Sequence, residues 1–424
     1  MKVEQALRLL PPLEAVIPLR TLLLASARTD DRAVWASAGA YLTVGKREVE
    51  PAEMRHRMQQ TLQQHSEHLA GLYESYIQAL ESIERGDAAA AVASMIDAGK
   101  REVALTRPEH ARAWFTVALA LAEALQNRRP EVDALLSLGR VSLDLGYFEE
   151  SARQYQRSLV LAEAEFNQSG AIVACEGLGR VAVEQARWAG AQAWYARGMA
   201  LAEAAEDELR IGQLHQALGE CARRQGELGV AMDEATKARE RFELLGDAGE
   251  MARALMLQGL VDADLGATGP AAAAYREALA WTRRAAPDSA LEVSIRTNLA
   301  KLHLELGRYL DAEEEMRRAE QLAIAANLLR ELVQIYALMG RSRGRQGDEA
   351  GFVFFEQAIE LARTLDRSPR VEAQVCFEYG VFQHRIARPD ESRAYLERAR
   401  EIFASIGASV DLERVQAELH ELSA

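Results

Sequence analysis

Small and apolar residues recur along most of the chain with a period close to 40 residues. Within each period, apolar positions spaced three, four and seven residues apart indicate one amphipathic helix, and a second such helix follows after a short turn. A small residue marks the register of the first helix at Gly139, Gly179, Gly219, Gly259, Ala300, Gly340 and Gly380. Because these positions step by 40 residues, with one step of 41, the pattern predicts a solenoid of stacked helix pairs.

The turn between the two helices, called A and B below, also carries a small residue. It is found at Gly146, Ala186, Gly226, Gly266, Gly307, Gly347 and Ala387. Glycine suits this place because it adopts the left-handed backbone of a helix end without strain. Helix B then carries a small residue, a large one and a closing apolar one, such as Ala191, Tyr195 and Leu201. We expect the small residue of helix A to let another helix backbone approach closely.

These features resemble the tetratricopeptide repeat (TPR) family over residues 130–409. The period is longer than the usual 34 residues of that family, the aromatic residue near the start of helix A is mostly absent, and the closing proline is usually missing. The resemblance implies an all-α fold, a right-handed superhelical solenoid of antiparallel helix pairs. It also implies that the A helices line the inner groove of that superhelix.

The register divides the chain into three predicted regions. Seven TPR-like repeats occupy residues 130–409, and a capping helix follows in 410–424. The apolar stripe of that last helix consists of Leu412, Val415, Leu419 and Leu422. Residues 1–127 lie outside the register and contain one diverged repeat, at about 69–105, followed by an additional helix. This helical N-terminal region is either a cap or a second binding site.

Composition narrows the kinds of partner that we expect. The net charge of −14 and the pI of about 5.3 argue against binding along a nucleic-acid backbone, which needs clustered Lys and Arg. No signal peptide or membrane span is visible in the sequence. Cys175, Cys221 and Cys376 are too scattered for a disulfide framework or a zinc site. We expect buried free thiols and a cytoplasmic protein; the pattern leaves the oligomeric state open.

The sequence shows no catalytic constellation. His65 and His68 could share a helix face, but no carboxylate or thiol at metal-ligand spacing completes a site. No serine elbow, glycine-rich nucleotide loop or HExxH motif occurs. We therefore expect a protein that is not an enzyme and that needs no cofactor or metal.

Basic residues recur at the helix A positions that the TPR resemblance assigns to the groove. The candidate peptide-binding residues are Arg140, Arg180, Arg223, Arg224, Lys301, Arg341, Arg345 and Arg385. Their planar guanidinium groups suit carboxylates, so one hypothesis is a groove for an acidic or C-terminal peptide. The alternative is that these arginines pair with acidic residues of adjacent repeats.

The resemblance favours a non-catalytic protein- or peptide-binding scaffold that uses the concave face of the superhelix. The alternative function is a sensory or regulatory module that binds a peptide or small ligand and signals through a partner chain. Repeats of this length resemble those of bacterial peptide-responsive regulators and of the sensor arms of signalling ATPases. The sequence itself carries neither a DNA-reading helix-turn-helix nor a phosphate loop.

Overall fold

The fold consists of α-helices joined by short turns, and no strand occurs among the residues that the structure describes. The structure is a computed structural model. It describes residues 88–422 apart from 105–107, 125, 286–287, 327, 349, 365–368 and 387, together with residues 78, 82, 85 and 87. The helices are α1 (Ala88–Ala104), α2 (Pro108–Ala124), α3 (Arg128–Leu145), α4 (Phe148–Ala164), α5 (Gln168–Glu184), α6 (Trp188–Ala204), α7 (Glu208–Gln225), α8 (Leu228–Leu245), α9 (Ala248–Asp264), α10 (Thr268–Thr282), α11 (Ser289–Glu305), α12 (Tyr309–Ala325), α13 (Leu329–Arg345), α14 (Gly351–Thr364), α15 (Pro369–Arg385), α16 (Pro389–Ile406) and α17 (Ser409–Glu421).

The chain forms two compact units. The first comprises Met1–Asp144 and Arg153–Gly170, and the second comprises Leu145–Ala152 and Ala171–Ala424. Their boundary falls within the first repeat, whereas the repeat register places a boundary near residue 127. Helix α1 buries Ala91, Met95 and Ala98, which the sequence assigns to helix B of the predicted diverged repeat. The rest of that repeat, before residue 78, lies outside the described residues, as do His65 and His68.

At five register positions the small residue of helix A lies against a large side chain of helix B: Gly139, Gly179, Gly259, Gly340 and Gly380. A Cβ atom added to Gly179 would lie 2.3 Å from Cε1 of Tyr195, and one added to Gly259 would lie 2.6 Å from Cε1 of Tyr275. The neighbour at these positions is therefore a buried ring, and not the helix backbone that we expected. Helix backbone does come close at Gly219 and Gly340, where the carbonyl oxygens of Ala231 and Gly351 would lie 3.3 and 3.1 Å from the added atom.

The turn residue between helices A and B adopts the left-handed backbone that the pattern predicts. Gly226 ends α7 with φ of 85°, and its amide donates to the carbonyl oxygens of Ala222 and Arg223. Ala186 stands at the equivalent place with φ of 55°. The chain therefore reverses within about three residues and brings helix B back along helix A.

In the second unit, buried clusters join successive helix pairs. In the second unit, Phe242 of α8, Leu255 of α9, Tyr275 of α10 and Leu299 of α11 belong to one buried cluster. These pairs thus bury apolar surface against the pairs before and after them, as expected of a solenoid. The polar edge of the A helices remains available for other contacts.

Candidate functional site on the A helices

The A helices of the second unit share a charged surface, because ion pairs join each of several A helices to the next. Arg224 of α7 donates to Glu184 of α5 at 2.8 Å, and Arg223 of α7 donates to Asp264 of α9 at 2.6 Å. Arg341 of α13 donates to a carboxylate oxygen of α15 at 3.0 Å. These three predicted site residues therefore do pair across adjacent repeats, which leaves them less able to bind a peptide carboxylate.

Arg345 and Arg385, two of the predicted site residues, have no carboxylate partner within the described chain. The Nη1 of Arg345 donates to the carbonyl oxygen of Leu304 at 2.8 Å, and the exposed Arg385 forms no ion pair with any described residue. The pKa of Arg345 is lowered, first by burial and then by the nearby charges of Arg341 and Arg385. Positive charge therefore exceeds negative charge at this end of the A-helix surface.

These arginines line a cavity of about 350 Å³ between α13 and α15. The cavity, called the arginine cavity below, is lined by Arg341, Gly344, Arg345, Glu378, Val381, Phe382, Arg385 and Ile386. Its one carboxylate already accepts from Arg341. Phe382 packs at centroid distances of 5.0 and 5.3 Å from the rings of Phe355 and Phe352, so the apolar wall is held in place. The cavity thus combines unpaired cations with an ordered apolar wall.

Lys301 lies on the same surface and is exposed, but charged groups of neighbouring helices act on it. Its Nζ donates to Asn298 Oδ1 at 3.4 Å and forms no ion pair with any described carboxylate. Desolvation nevertheless lowers the pKa of Lys301; Glu378 opposes this effect, and Arg341 and Arg223 add to it. Charged groups of α7, α13 and α15 therefore act together on Lys301.

One arginine connects A helices that are far apart in the sequence. Arg370 of α15 lies 2.6 Å from Glu184 Oε2 of α5 and 3.4 Å from Asp411 Oδ2 of α17. Its guanidinium carbon also lies 5.9 Å from the ring centroid of Phe148. The winding of the second unit therefore brings α15 back to α5, and the two carboxylates and Arg370 form a closing network.

This network makes the stability of the second unit dependent on pH. Burial alone would raise the pKa of Glu184, but Arg370 and Arg224 outweigh burial, and the pKa lies below its ordinary value of 4.5. A carboxyl whose pKa is lower in the folded state stabilises the fold above its unfolded pKa, and this stabilisation disappears as the pH falls through the folded pKa. We expect Glu184→Gln to flatten this dependence in urea unfolding measured between about pH 7 and pH 3. Identical slopes for the variant and the wild type would contradict the role of Glu184.

The remaining predicted residues lie elsewhere. Arg140 is exposed and belongs to the first unit. Arg180 is half-buried near Tyr195, where it opposes the strong rise that burial causes in the pKa of that hydroxyl. Our sequence analysis missed Glu378 and Arg370. Glu378 follows Arg341 by close to one period and could have been found from that spacing, whereas nothing in a 40-residue period points to Arg370.

The described residues offer no group of His, Cys, Asp and Glu side chains that could hold a metal ion. His215 instead pairs with Glu234 at 2.6 Å. The three cysteines, Cys175, Cys221 and Cys376, are buried free thiols, as predicted. None of the helices that the structure describes has the length and apolar character needed to cross a membrane.

The fold is similar to those of known helical-repeat proteins. The Rap protein complexed with Competence and Sporulation Factor has a TM-score of 0.50 and 14% identity, over 79% of this chain and 99% of that one. The Rap conjugation gene regulator of the plasmid pLS20, in complex with the Phr* peptide, has a TM-score of 0.53 and 14% identity, over 76% of this chain and 92% of that one. A tetratricopeptide repeat protein from Parabacteroides merdae aligns with 72% of this chain and 99% of that one, at 14% identity and a TM-score of 0.42.

No protein-family model matches the sequence, and the search of curated proteins gave no match either. At 14% identity the two Rap similarities concern the fold alone. The fold is a TPR-like helical-repeat solenoid of antiparallel helix pairs, as the sequence pattern predicts.

Proposed function

We propose that the second unit is a non-catalytic scaffold that binds an acidic or C-terminal peptide segment on its A-helix surface. The observation that carries this proposal is the arginine cavity, where Arg345 and Arg385 have no carboxylate partner in the described chain. A cavity that holds guanidinium groups without a carboxylate partner favours an anion, because such groups donate charge-assisted hydrogen bonds to carboxylates.

The apolar side of the cavity explains why the anion would belong to a peptide. Val381, Phe382 and Ile386 offer apolar surface to the side chain next to a bound carboxylate. Lys301, on the neighbouring helix α11, adds positive charge without a carboxylate partner of its own. Aliphatic and aromatic contacts beside a few convergent polar groups are typical of ligand sites in proteins.

The comparisons support this proposal through the fold. The two Rap structures above share the helical-repeat architecture, and one of them holds the Phr* peptide. The acidic character of the peptide rests on the arginine cavity, and not on these similarities. The buried free thiols of the chain fit the cytoplasmic location that we propose with it.

We expect Arg345→Ala combined with Arg385→Ala to weaken peptide binding by about tenfold or more. A hydrogen bond to a charged group contributes about 1.5–3 kcal/mol, and 1.4 kcal/mol corresponds to a factor of ten. The measurement is fluorescence polarisation with pools of short labelled peptides that carry either a free or an amidated C-terminus. Pools that contain Asp and Glu are compared with pools that contain Asn and Gln at the same positions. The experiment thereby tests both sources of the carboxylate, the C-terminus and the acidic side chain.

The matched control is Arg393→Ala combined with Arg400→Ala, which removes the same charge from exposed positions of α16. Its affinity should equal that of the wild type, and melting temperatures should agree for all three proteins. Equal binding by the cavity variant and the control variant would overturn the proposal, as would a lack of preference for pools with carboxylates.

A regulatory role is the second candidate, and the closing network favours it. Arg370 joins α5 to α15, the helix that also carries Arg385 of the arginine cavity. A ligand that binds more tightly when this network is closed would shift the second unit toward the closed form. Under this hypothesis, peptide binding would increase hydrogen-exchange protection at the two joined helices, whereas a passive scaffold would show protection only at the contact residues.

A further inference from the structure

A second cavity lies among α10, α11 and α12, away from the A-helix surface. Its volume is about 370 Å³. The cavity, called the histidine cavity below, is lined by Arg276, Leu279, Ala280, Arg283, Arg296, Leu299, His303, Arg308, Asp311, Glu314, Glu315 and Arg318. His303 follows Lys301 by two residues, which is about 200° around an α-helix. The histidine cavity therefore opens on a different face of α11 from the one that carries Lys301.

The charges of this cavity are unevenly paired. Arg296 is held by Glu292 and Glu315, at 2.7 and 2.8 Å. Arg318 forms an ion pair with Glu314. Three cations remain without a carboxylate partner in the part of the chain that the structure describes: Arg276, Arg283 and Arg308, all exposed. The cavity thus offers three unpaired guanidinium groups.

A buried histidine completes the cavity. His303 is 5% exposed, and its Nδ1 atom forms no hydrogen bond with any described residue. The nearest carboxylate oxygen, Oδ2 of Asp311, lies 4.0 Å away, beyond hydrogen-bond distance. A buried polar atom without a partner is uncommon in folded proteins, and a bound ligand is one of the ways to satisfy it. The Nδ1 atom of His303 is therefore a second observation, independent of the arginines, that points to a bound ligand.

The lining of the cavity favours a ligand with more than one negative charge, because it holds five arginines and three carboxylates. Desolvation lowers the pKa of His303; Asp311 opposes this effect, and Arg276 and Arg308 add to it. Glu315 also acts on the imidazole and opposes the lowering. A neutral imidazole donates from one ring nitrogen and accepts at the other, so it can donate one hydrogen bond to an anion while the arginines supply the charge.

We propose that the histidine cavity binds the phosphate group of a small phosphate monoester. A phosphate monoester carries between about 1.5 and 2 negative charges at pH 7 and three acceptor oxygens, which matches three unpaired guanidinium groups and one imidazole. One guanidinium group can donate two parallel hydrogen bonds to the oxygens of a phosphate group. The volume of the cavity falls within the range of small-molecule sites, about 300–1,000 Å³. Asp311, Glu314 and Glu315 on the α12 side would accept hydrogen bonds from hydroxyl groups of the same ligand.

The proposal is tested by calorimetric titration of the full chain with inorganic phosphate and with glycerol phosphate, at constant ionic strength. We expect Arg276→Ala combined with Arg308→Ala to weaken binding by about tenfold or more, since charge-assisted hydrogen bonds would be lost. Both arginines are exposed, so the variant should fold normally. Arg393→Ala with Arg400→Ala is the charge-matched control, and Arg345→Ala with Arg385→Ala tests whether the phosphate enters the arginine cavity instead.

A second measurement reports on the site directly. In the wild-type protein, phosphate should shift the imidazole NMR signals of His303 and leave those of His215, which is paired with Glu234, unchanged. Tighter binding of glycerol phosphate than of inorganic phosphate would identify the monoester as the ligand, and equal binding would identify free phosphate. The proposal is overturned if the His303 signals do not move, or if Arg276→Ala with Arg308→Ala binds as well as the charge-matched control.

Discussion

Replacing Gly179 by leucine is expected to destabilise the second unit by about 1–3 kcal/mol, the usual cost of overpacking a buried position. The Cβ atom alone would lie 2.3 Å from Cε1 of Tyr195, and that ring is 2% exposed, so neither group can move into solvent. Leucine favours helix by about 1 kcal/mol over glycine, which offsets part of the cost. Urea unfolding followed by circular dichroism measures the net change.

Two further variants separate overpacking from other effects of removing glycine. Gly229 has no heavy atom within 4 Å of an added Cβ, so Gly229→Ala should leave stability unchanged or raise it. The repeat with Ala300 in place of glycine carries Met316 in place of the tyrosine. Gly179→Ala combined with Tyr195→Met copies that pair and should recover most of the loss. If Gly179→Leu unfolds at the same urea concentration as the wild type, the packing described here is wrong.

Deleting residues 411–424 is expected to make the protein aggregate. Val415 of α17 is fully buried, and the guanidinium carbon of Arg414 lies 5.0 Å from the ring centroid of Phe377. The deletion would uncover Phe377 and other apolar surface of the last helix pair. Burying one large apolar side chain contributes about 1.5–3 kcal/mol, so the deletion also destabilises that pair. Light scattering against protein concentration, together with thermal melting, measures both effects.

A point substitution tests the same interface without shortening the chain. Val415→Asp places a charge at the buried position and should reproduce the aggregation, because an unpaired charge is costly to bury. Ala417 is exposed on the same helix, so Ala417→Asp is the matched control and should behave as the wild type. A truncated protein that stays as soluble and as stable as the full chain would show that α17 does not act as a cap.

The helix pairs could be predicted from the sequence because their determinants are local. The residues of each pair, such as Gly179 and Tyr195, lie within one period, and a single helix-turn-helix unit fixes their relative positions. The neighbour of the small residue was predicted less well. A glycine in a helix indicates close packing, but the sequence alone does not tell whether a ring or a backbone fills the space.

The candidate site was predicted only in part, for a physical reason. The register places Arg341, Arg345 and Arg385 on helices of the same type, but their pairing depends on distances between helices. Arg341 has Glu378 at 3.0 Å, whereas Arg345 reaches only a carbonyl oxygen. Such differences arise from the winding of successive pairs and from side-chain conformations, which a periodic pattern does not encode. The histidine cavity depends in the same way on three helices meeting.

The contact between Arg370 and Glu184 has a consequence for how the second unit unfolds. In an open array of repeats, the terminal repeat has one neighbour and can unfold while the others stay intact. Here a residue of α15 is held by a residue 186 positions earlier, so α15 has a partner outside its adjacent repeats. Unfolding of either α5 or α15 breaks the contact between Arg370 and Glu184. This contact therefore couples the two ends of the array. The second unit should therefore behave more like a closed ring, with cooperative unfolding, and contacts of such long sequence separation should form late and slowly during folding.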